Sequence, residues 1–210
     1  MKKNTFLKTV LIATVAFIFS ANTNAQSVEL TGAYGYHFGS KLEYGYNNYI
    51  KINDGDQYSL TLGVDMFKGA KTEVTWVHQS TDVTRRYQGN TKRLADLNAD
   101  WIMVGVAKYI DKDKLTPFAG AGIGAAIFNP SNENREIVDY NIDTKWYLGV
   151  SLKAGANYMF NENWGLNVQG NLMFPVQWGG VYIGTGGGGV SGSSTTLIGG
   201  FSGGLVYRTN

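Results

Sequence analysis

The sequence predicts an all-β fold, an eight-stranded antiparallel transmembrane β-barrel. Three observations predict it. Glycine makes up 28 of the 210 residues, and because each interior glycine costs a helix about 1 kcal/mol relative to alanine, long helices are disfavoured. Apolar and polar residues alternate with a period of two along much of the chain, as in strands with two different faces. Short and long connections also alternate, which is typical of a barrel with turns at one end and loops at the other.

The N-terminal segment has the pattern of a secretory signal peptide. Lys2, Lys3 and Lys8 accompany an apolar stretch over 9–19, and small or polar residues follow as far as Ala25. The apolar stretch of about 11 residues is shorter than the roughly 20 that a spanning helix needs. We therefore expect residues 1–25 to be a cleaved signal peptide and residues 26–210 to form the barrel domain.

Composition excludes several functional classes. Loss of the three signal lysines from 18 basic residues leaves 15, against 16 acidic ones, so we expect no nucleic-acid partner. The absence of cysteine excludes a disulfide scaffold, a thiolate metal site and a cysteine nucleophile. The sequence also lacks a zinc-spaced histidine cluster, a phosphate loop and a nucleophile elbow. We accordingly expect no cofactor, no metal and no catalytic residue.

Eight segments carry the strand pattern, and in six of them one face is clearly apolar. On these six strands we expect alternate residues to face lipid, beginning in chain order with Val28, Tyr58, Thr72, Trp146, Trp164 and Leu197. Short turns are expected at 68–70, 111–116 and 161–163. Long loops are expected at 39–56, 83–99, 129–145 and 176–194.

The fourth and fifth strands are apolar on both faces, so alternation alone leaves their orientation open. In the fourth strand we expect Lys108 to point inward. The other row of the strand then faces outside, and it contains Trp101, Met103, Ala107 and Tyr109. In the fifth strand we expect the alanine and isoleucine row from Ala119 to Ile127 to lie outside, opposite a glycine-rich inner face.

A soluble β-sandwich is the main alternative fold, because it also shows alternation and regular turns. Three features favour the membrane. Most apolar faces run uninterrupted for about 9–11 residues, enough for a tilted strand to cross a bilayer. Aromatic residues stand near the ends of these faces. The opposite face is polar and glycine-rich, whereas the inner face of a sandwich is apolar.

Two segments carry a resemblance to a known family. Leu115–Ala125 has a short turn, a proline, an aromatic residue and then alternating small residues and glycine, and Leu148–Tyr158 follows the same style. They resemble the small eight-stranded outer-membrane barrels of the OmpA/OmpX type, a porin-family β-barrel domain. The resemblance implies a location in the bacterial outer membrane. It also implies contact with outer-membrane lipids and lipopolysaccharide, and insertion by the outer-membrane assembly machinery.

The inward face predicts a buried polar network. Its members are Glu29, His37, Asp65, Glu73, Lys108, Lys153 and Arg208. Eight strands leave an interior just wide enough for side chains, and buried charges must pair. We therefore expect a barrel plugged by ion pairs, with a structural or surface-interaction role. A small-solute channel is the alternative.

Two exterior features have functional interpretations. The predicted loop over 83–99 carries Arg85, Arg86, Lys92 and Arg93, which can attract lipopolysaccharide phosphate. A host or surface ligand that binds the long loops is also possible. On the third strand, His78, Ser80 and Asp82 share one face, and this pattern resembles lipid A deacylases with a His-x-Ser pair. Residues two apart on a strand lie about 6.5–7 Å apart, so a lipid A hydrolase is the weaker alternative.

Overall fold

A computed structural model describes residues 27–45, 47–66, 68–110, 113–137, 142–176 and 197–209. Within these ranges the chain forms ten β-strands. The predicted signal peptide over 1–25 and most of the predicted last loop lie outside the described residues. No helix among the described residues is long and apolar enough to cross a membrane.

The strands lie in one antiparallel sheet that closes on itself. Their bounds are β1 Val28–Phe38, β2 Ser40–Gly45, β3 Asn48–Ile52, β4 Gly55–Asp65, β5 Ala70–Tyr87, β6 Asn90–Tyr109, β7 Leu115–Ser131, β8 Lys145–Met159, β9 Trp164–Val176 and β10 Ile198–Arg208. β1 pairs with both β4 and β10, and β5 closes the ring by pairing with β6. With β2 and β3 outside the ring, eight strands form the barrel, which confirms the predicted fold.

The strand faces follow the predicted orientation in seven of the eight barrel strands. On β1, for example, Glu29, Thr31 and His37 are buried while Leu30 and Tyr34 are exposed. The exposed rows form an apolar outer surface with Tyr58, Trp146, Trp164 and Tyr207 toward the strand ends. That surface is what a bilayer requires of a closed barrel.

The predicted orientation of the fourth strand, β6, is wrong. Trp101 and Ala107 are fully buried inside the barrel, together with Met103 and Tyr109. The opposite, exposed row is Ile102, Val104 and Val106. Lys108 is exposed and donates a hydrogen bond to the carbonyl of Lys68 in the short turn. Because it stands at the end of its strand, Lys108 can extend its ammonium group out of the apolar belt.

The predicted orientation of the fifth strand, β7, is confirmed. Ala119, Ala121 and Ile123 are exposed, whereas Thr116 and Phe118 are buried. Small inward residues make room for the large side chains of β6. A Cβ added at Gly149 on β8 would lie 3.2 Å from the Trp101 ring, so glycine there lets the indole fill the barrel.

Two predicted loops are largely β-sheet instead. Within 39–56, β2 and β3 form a hairpin, and β3 continues the sheet by pairing with residues 83–86 of β5. Within 83–99, β5 and β6 run on as a hairpin whose turn holds Gln88 and Gly89 at φ 48° and 87°, the twist that favours tight hairpins. Charged residues alternate here with β-formers, so the strand pattern lacks an apolar face. We call the four-stranded part of the sheet formed by β2, β3 and residues 83–95 of β5 and β6 the extracellular extension.

Candidate functional site

Glu29 is the centre of the polar network at the short-turn end of the barrel. Its carboxylate, 3% exposed as a side chain, accepts a hydrogen bond from Lys71 Nζ at 2.6 Å. Arg208 donates to the same oxygen at 3.0 Å, and Asn157 donates to the other oxygen at 3.1 Å. Three donors from three strands therefore satisfy one buried charge, as a buried carboxylate requires.

Glu73 forms a second carboxylate centre, which lies farther from the short turns than the Glu29 centre. Lys153 Nζ lies 2.6 Å from one of its oxygens, and the Tyr109 hydroxyl donates to the other at 2.7 Å. The Tyr109 ring stacks on Phe118 at 5.0 Å between centroids. Lys71 Nζ stands 4.9 Å from the centre of the same Tyr109 ring, so the two carboxylate centres share one continuous layer of side chains.

The structure brings together most of the predicted interior residues. Glu29, Glu73, Lys153 and Arg208 belong to the two centres. Asp65 lies at the rim, where its carboxylate is 3.5 Å from Lys71 Nζ and accepts a hydrogen bond from the Ser27 hydroxyl.

Two predicted members stand apart from these centres. His37 is buried toward the opposite end of the barrel and its Nδ1 is 3.2 Å from the carbonyl of Asp56. The prediction for Lys108 is wrong, because the reversed orientation of β6 turns this side chain outward.

Lys71 is the interior cation that sequence reasoning missed. It is 4% exposed and pairs with Glu29 and Asp65. The signal was present, since Glu73 was expected to point inward and Lys71 lies two residues earlier on the same strand. The predicted strand began at Thr72, one residue too late to include it.

The loop-end half of the interior is closed by an apolar cluster around Trp101. The fully buried indole packs edge-on against Phe128 at 5.7 Å, and Phe128 packs against Tyr147 at 5.6 Å. The other cluster members are Val77, Met103, Ala126, Met173 and Ile198. Among the described residues, these apolar side chains pack together across this layer of the lumen.

A chain of side-chain amides supports the indole. Trp101 Nε1 donates to Gln79 Oε1 at 3.0 Å, and Gln79 Nε2 donates to Gln57 at 3.2 Å. Gln57 in turn donates to Asn171 Oδ1 at 2.9 Å. The amides span several strands and satisfy the one polar atom of the buried indole.

A small cavity lies between the apolar cluster and the carboxylate centres. Its volume is about 40 Å³, room for a few water molecules. Its lining includes Gln57, Glu73, Thr75, Lys153 and Gln169. The Glu73–Lys153 ion pair borders the cavity on one side, and Val77, Met103 and Met173 of the apolar cluster border it on the other.

The three side chains of the His-x-Ser pattern do not assemble into a nucleophile site. His78 Nδ1 lies 2.8 Å from Asp100 on β6, and its ring stacks on Tyr58 at 4.8 Å. Asp82 instead accepts a hydrogen bond from Asn53 at 2.8 Å. Among the described residues, Ser80 has no hydrogen bond to His78.

His78 and Asp100 belong to a polar cluster on the outer surface. Trp76 Nε1 also donates to Asp100, at 3.0 Å. An indole whose polar edge is satisfied at the end of an apolar row is typical of a membrane interface. Elsewhere in the described ranges, no group of three or more His, Asp or Glu side chains is placed to hold a metal ion.

The four predicted basic loop residues lie on both faces of the extracellular extension. Arg86 and Arg93 share the outward face, and Arg85 and Lys92 share the other, as their pairings show. Arg93 pairs with Asp96, and this contact, with a further hydrogen bond from Asn132, lowers the pKa of the Asp96 carboxyl. Lys92 lies 3.7 Å from Glu136, so the acidic segment after β7 partly neutralises the inner face.

Comparisons with known proteins agree with the fold. No family model matches the chain. A 66-residue segment, 31% of this chain and 28% of the relative, is 30% identical to the uncharacterized outer-membrane protein y4mB of Sinorhizobium fredii. Among solved structures, OprG of Pseudomonas aeruginosa matches with a TM-score of 0.63 and 16% identity, covering 89% of this chain and 97% of OprG.

A second solved structure, Neisserial surface protein A, matches with a TM-score of 0.59 and 12% identity over 88% of this chain and 99% of that protein. This chain therefore has the fold of small outer-membrane β-barrel proteins, the fold that the sequence predicted. The relative and both structural neighbours are bacterial outer-membrane or surface proteins, in agreement with the predicted location.

Proposed function

We propose that the mature chain, beginning at Gln26, is a non-conducting and non-catalytic barrel of the bacterial outer membrane that holds an extracellular β-sheet above the lipid. The observation that supports the proposal is the set of side chains that occupy the described interior. Glu29 and Glu73 with their cations occupy one half of the lumen, and the Trp101 cluster occupies the other.

The polar layer supports a plug because its charges are mutually compensated. Three acids, Glu29, Asp65 and Glu73, face three bases, Lys71, Lys153 and Arg208. A buried ion pair loses several kcal/mol if one partner is withdrawn. The layer therefore resists the rearrangement that a permeating ion would require.

The extracellular extension supports a surface-interaction role. β5 and β6 are 18 and 20 residues long, whereas about 9–11 residues suffice to cross the membrane. The added length is paired with β3, and β3 with β2, so an ordered sheet stands above the barrel. A regular sheet presents side chains at fixed spacings and so suits recognition better than a flexible loop.

The small-solute channel and the surface hydrolase are the alternatives. A channel needs a continuous aqueous path, and the layer around Trp101 is apolar and close-packed. A hydrolase needs a nucleophile within reach of its base, and His78 is engaged with Asp100 and Tyr58 rather than Ser80.

Solute uptake by proteoliposomes tests the proposal. The purified barrel is reconstituted beside a general porin, and vesicle swelling is followed in isotonic arabinose. We expect swelling no faster than in protein-free vesicles. Swelling at a rate near that of the porin would favour the channel and remove the proposal.

A further inference from the structure

The outward face of the extracellular extension carries a cluster of cations from different strands, which strand pairing brings together. Side chains directly opposite each other on paired strands share a face. Lys51 lies opposite Thr84, and Tyr49 lies opposite Arg86. Lys41 lies opposite Lys51 on the next strand. Three strands thus place three cations and a tyrosine on one face.

A β-bulge adds a fourth cation to this face. On β6, Ala95 lies opposite Val83 but Arg93 lies opposite Thr84, so Leu94 is the extra residue. Ala95 and Leu97 point inward, and without the bulge Arg93 would follow them. The bulge reverses the alternation, as bulges do, and places Arg93 beside Thr84 on the outward face.

The cluster is organised around Tyr49. Lys41 Nζ lies 4.4 Å from the centre of the Tyr49 ring, and Arg86 lies 6.0 Å from it. A hydrogen bond from Arg86 and the positive charges nearby lower the pKa of Tyr49.

The position of the cluster determines what it faces. On β5 the alternation is unbroken, so Thr84 and Arg86 continue the row of Trp76 and His78, which faces the membrane side of the barrel. The row turns polar at His78, and at about 3.3 Å per residue on a strand tilted by about 40°, Arg86 stands roughly 20 Å above it. The cluster therefore looks out over the headgroups of the surrounding lipid.

We infer that this face, formed by Lys41, Lys51, Tyr49, Arg86 and Arg93, binds the phosphate groups carried by the sugars of outer-leaflet lipopolysaccharide. The inference rests on the proposed outer-membrane function. Guanidinium groups form paired hydrogen bonds to phosphate, and ammonium groups supply point charges. Glu43 is paired with Tyr49 in the register of the same face. Asp82 and Asp96 lie at the base of that face, where Asp82 is engaged with Asn53 and Asp96 with Arg93. The four cations outnumber these three acids, and Lys51 and Arg86 are the cations on which binding mainly depends.

The opposite face of the same sheet provides a matched control. Arg85 and Lys92 lie directly opposite each other there, and Lys92 is already near Glu136. The double variants Lys51→Gln/Arg86→Gln and Arg85→Gln/Lys92→Gln remove the same charge from the same sheet. Any difference between them reports the face and not the net charge.

The test measures binding of fluorescent lipopolysaccharide to the purified barrel in dodecyl maltoside micelles. We expect Lys51→Gln/Arg86→Gln to weaken binding about tenfold, because both cations lie on the face proposed to meet the phosphate groups. We expect the control pair, which lies on the opposite face, to weaken binding less than twofold. Chemically dephosphorylated lipopolysaccharide should bind the wild type as weakly as the phosphorylated form binds the first variant. Higher salt should reduce that difference through screening.

Several outcomes would overturn the inference. They are equal loss in the two double variants, no loss in either, or undiminished binding of dephosphorylated lipopolysaccharide. Preferential binding of a sulfated polysaccharide over lipopolysaccharide would point to a different partner. Retained gel mobility of the folded form verifies each variant, and the single variant Lys51→Gln provides the same comparison if the double one fails to fold. Because solute uptake is measured separately, failure of this inference leaves the plugged-barrel proposal intact.

Discussion

Lys71 on β5 reaches across β4 to bind Glu29 on β1, with 2.6 Å between Nζ and Oε2. The intervening position on β4 is Gly63, which pairs with both Glu29 and Glu73. A Cβ there would lie 3.6 Å from the Lys71 and Glu73 side chains, an ordinary van der Waals distance, so the stem of Lys71 passes directly over this position. The ion pair thus joins two strands that share no backbone hydrogen bond.

Replacing Lys71 by methionine should destabilise the barrel by about 3–5 kcal/mol, because it leaves Glu29 with a buried charge and one cation fewer. The free energy of unfolding in urea, measured in lipid vesicles, gives the comparison. Lys108→Met is the matched control, since Lys108 is exposed and should lose less than about 1 kcal/mol. Equal losses in the two variants would contradict the assignment of Lys71 to the network.

Lys153→Ala should lower stability by a few kcal/mol, because Glu73 would keep only the Tyr109 hydroxyl as a partner. Adding Glu73→Gln should recover part of the loss, since the second change removes the stranded charge. A double-mutant cycle on urea unfolding measures the coupling. Strictly additive effects would show that the two residues do not interact.

Brominated lipids should quench Trp146 strongly and Trp101 weakly. Trp146 is 68% exposed on the outer surface, whereas Trp101 is fully buried in the lumen. Two single-tryptophan variants, one with Trp101 and one with Trp146, give the two fluorescence signals. Each is reconstituted in vesicles whose lipids carry bromines at graded depths. Strong quenching of Trp101 would restore the orientation of β6 that the sequence predicted.

Replacing Leu62 by arginine should hinder insertion more than replacing Thr61 by arginine. Leu62 belongs to the lipid-facing row of β4, where arginine near the midplane costs about 2–4 kcal/mol, and Thr61 faces the lumen, bonded to Thr75 at 3.0 Å. The folded fraction after refolding into vesicles, read from the gel mobility of unboiled samples, provides the measurement. A similar folded fraction for both variants would contradict the orientation of β4.

The sequence predicted much of the barrel because one face of most strands was unambiguous. Glu29 and Leu30, for example, could only point in opposite directions, and lipid decides which points out. β6 carries large apolar residues on both faces, so in the sequence only the charge of Lys108 distinguishes the two faces. Because Lys108 stands at the strand end, its charge does not require this row to face the lumen. The burial of Trp101 also depends on Gly149, a residue of a different strand.

The extracellular extension was missed for a different reason. Its strands are held by pairing between β3 and β5, whose residues lie more than 30 positions apart, and no apolar face marks them. The bulge at Leu94 also depends on which residues of β6 oppose Val83 and Thr84. Register of this kind depends on tertiary contacts. The sequence alone therefore did not show that Arg86 and Arg85 lie on opposite faces of a sheet.

The most direct test of the plugged barrel is single-channel recording in planar bilayers. The purified mature protein is added at 1 M potassium chloride, with a general porin as the positive control for insertion. The Glu29 and Glu73 centres and the Trp101 cluster occupy successive layers of the lumen. On the proposed function, we therefore expect a baseline free of stable conductance steps. Steady, porin-sized steps from the wild-type protein would contradict the account.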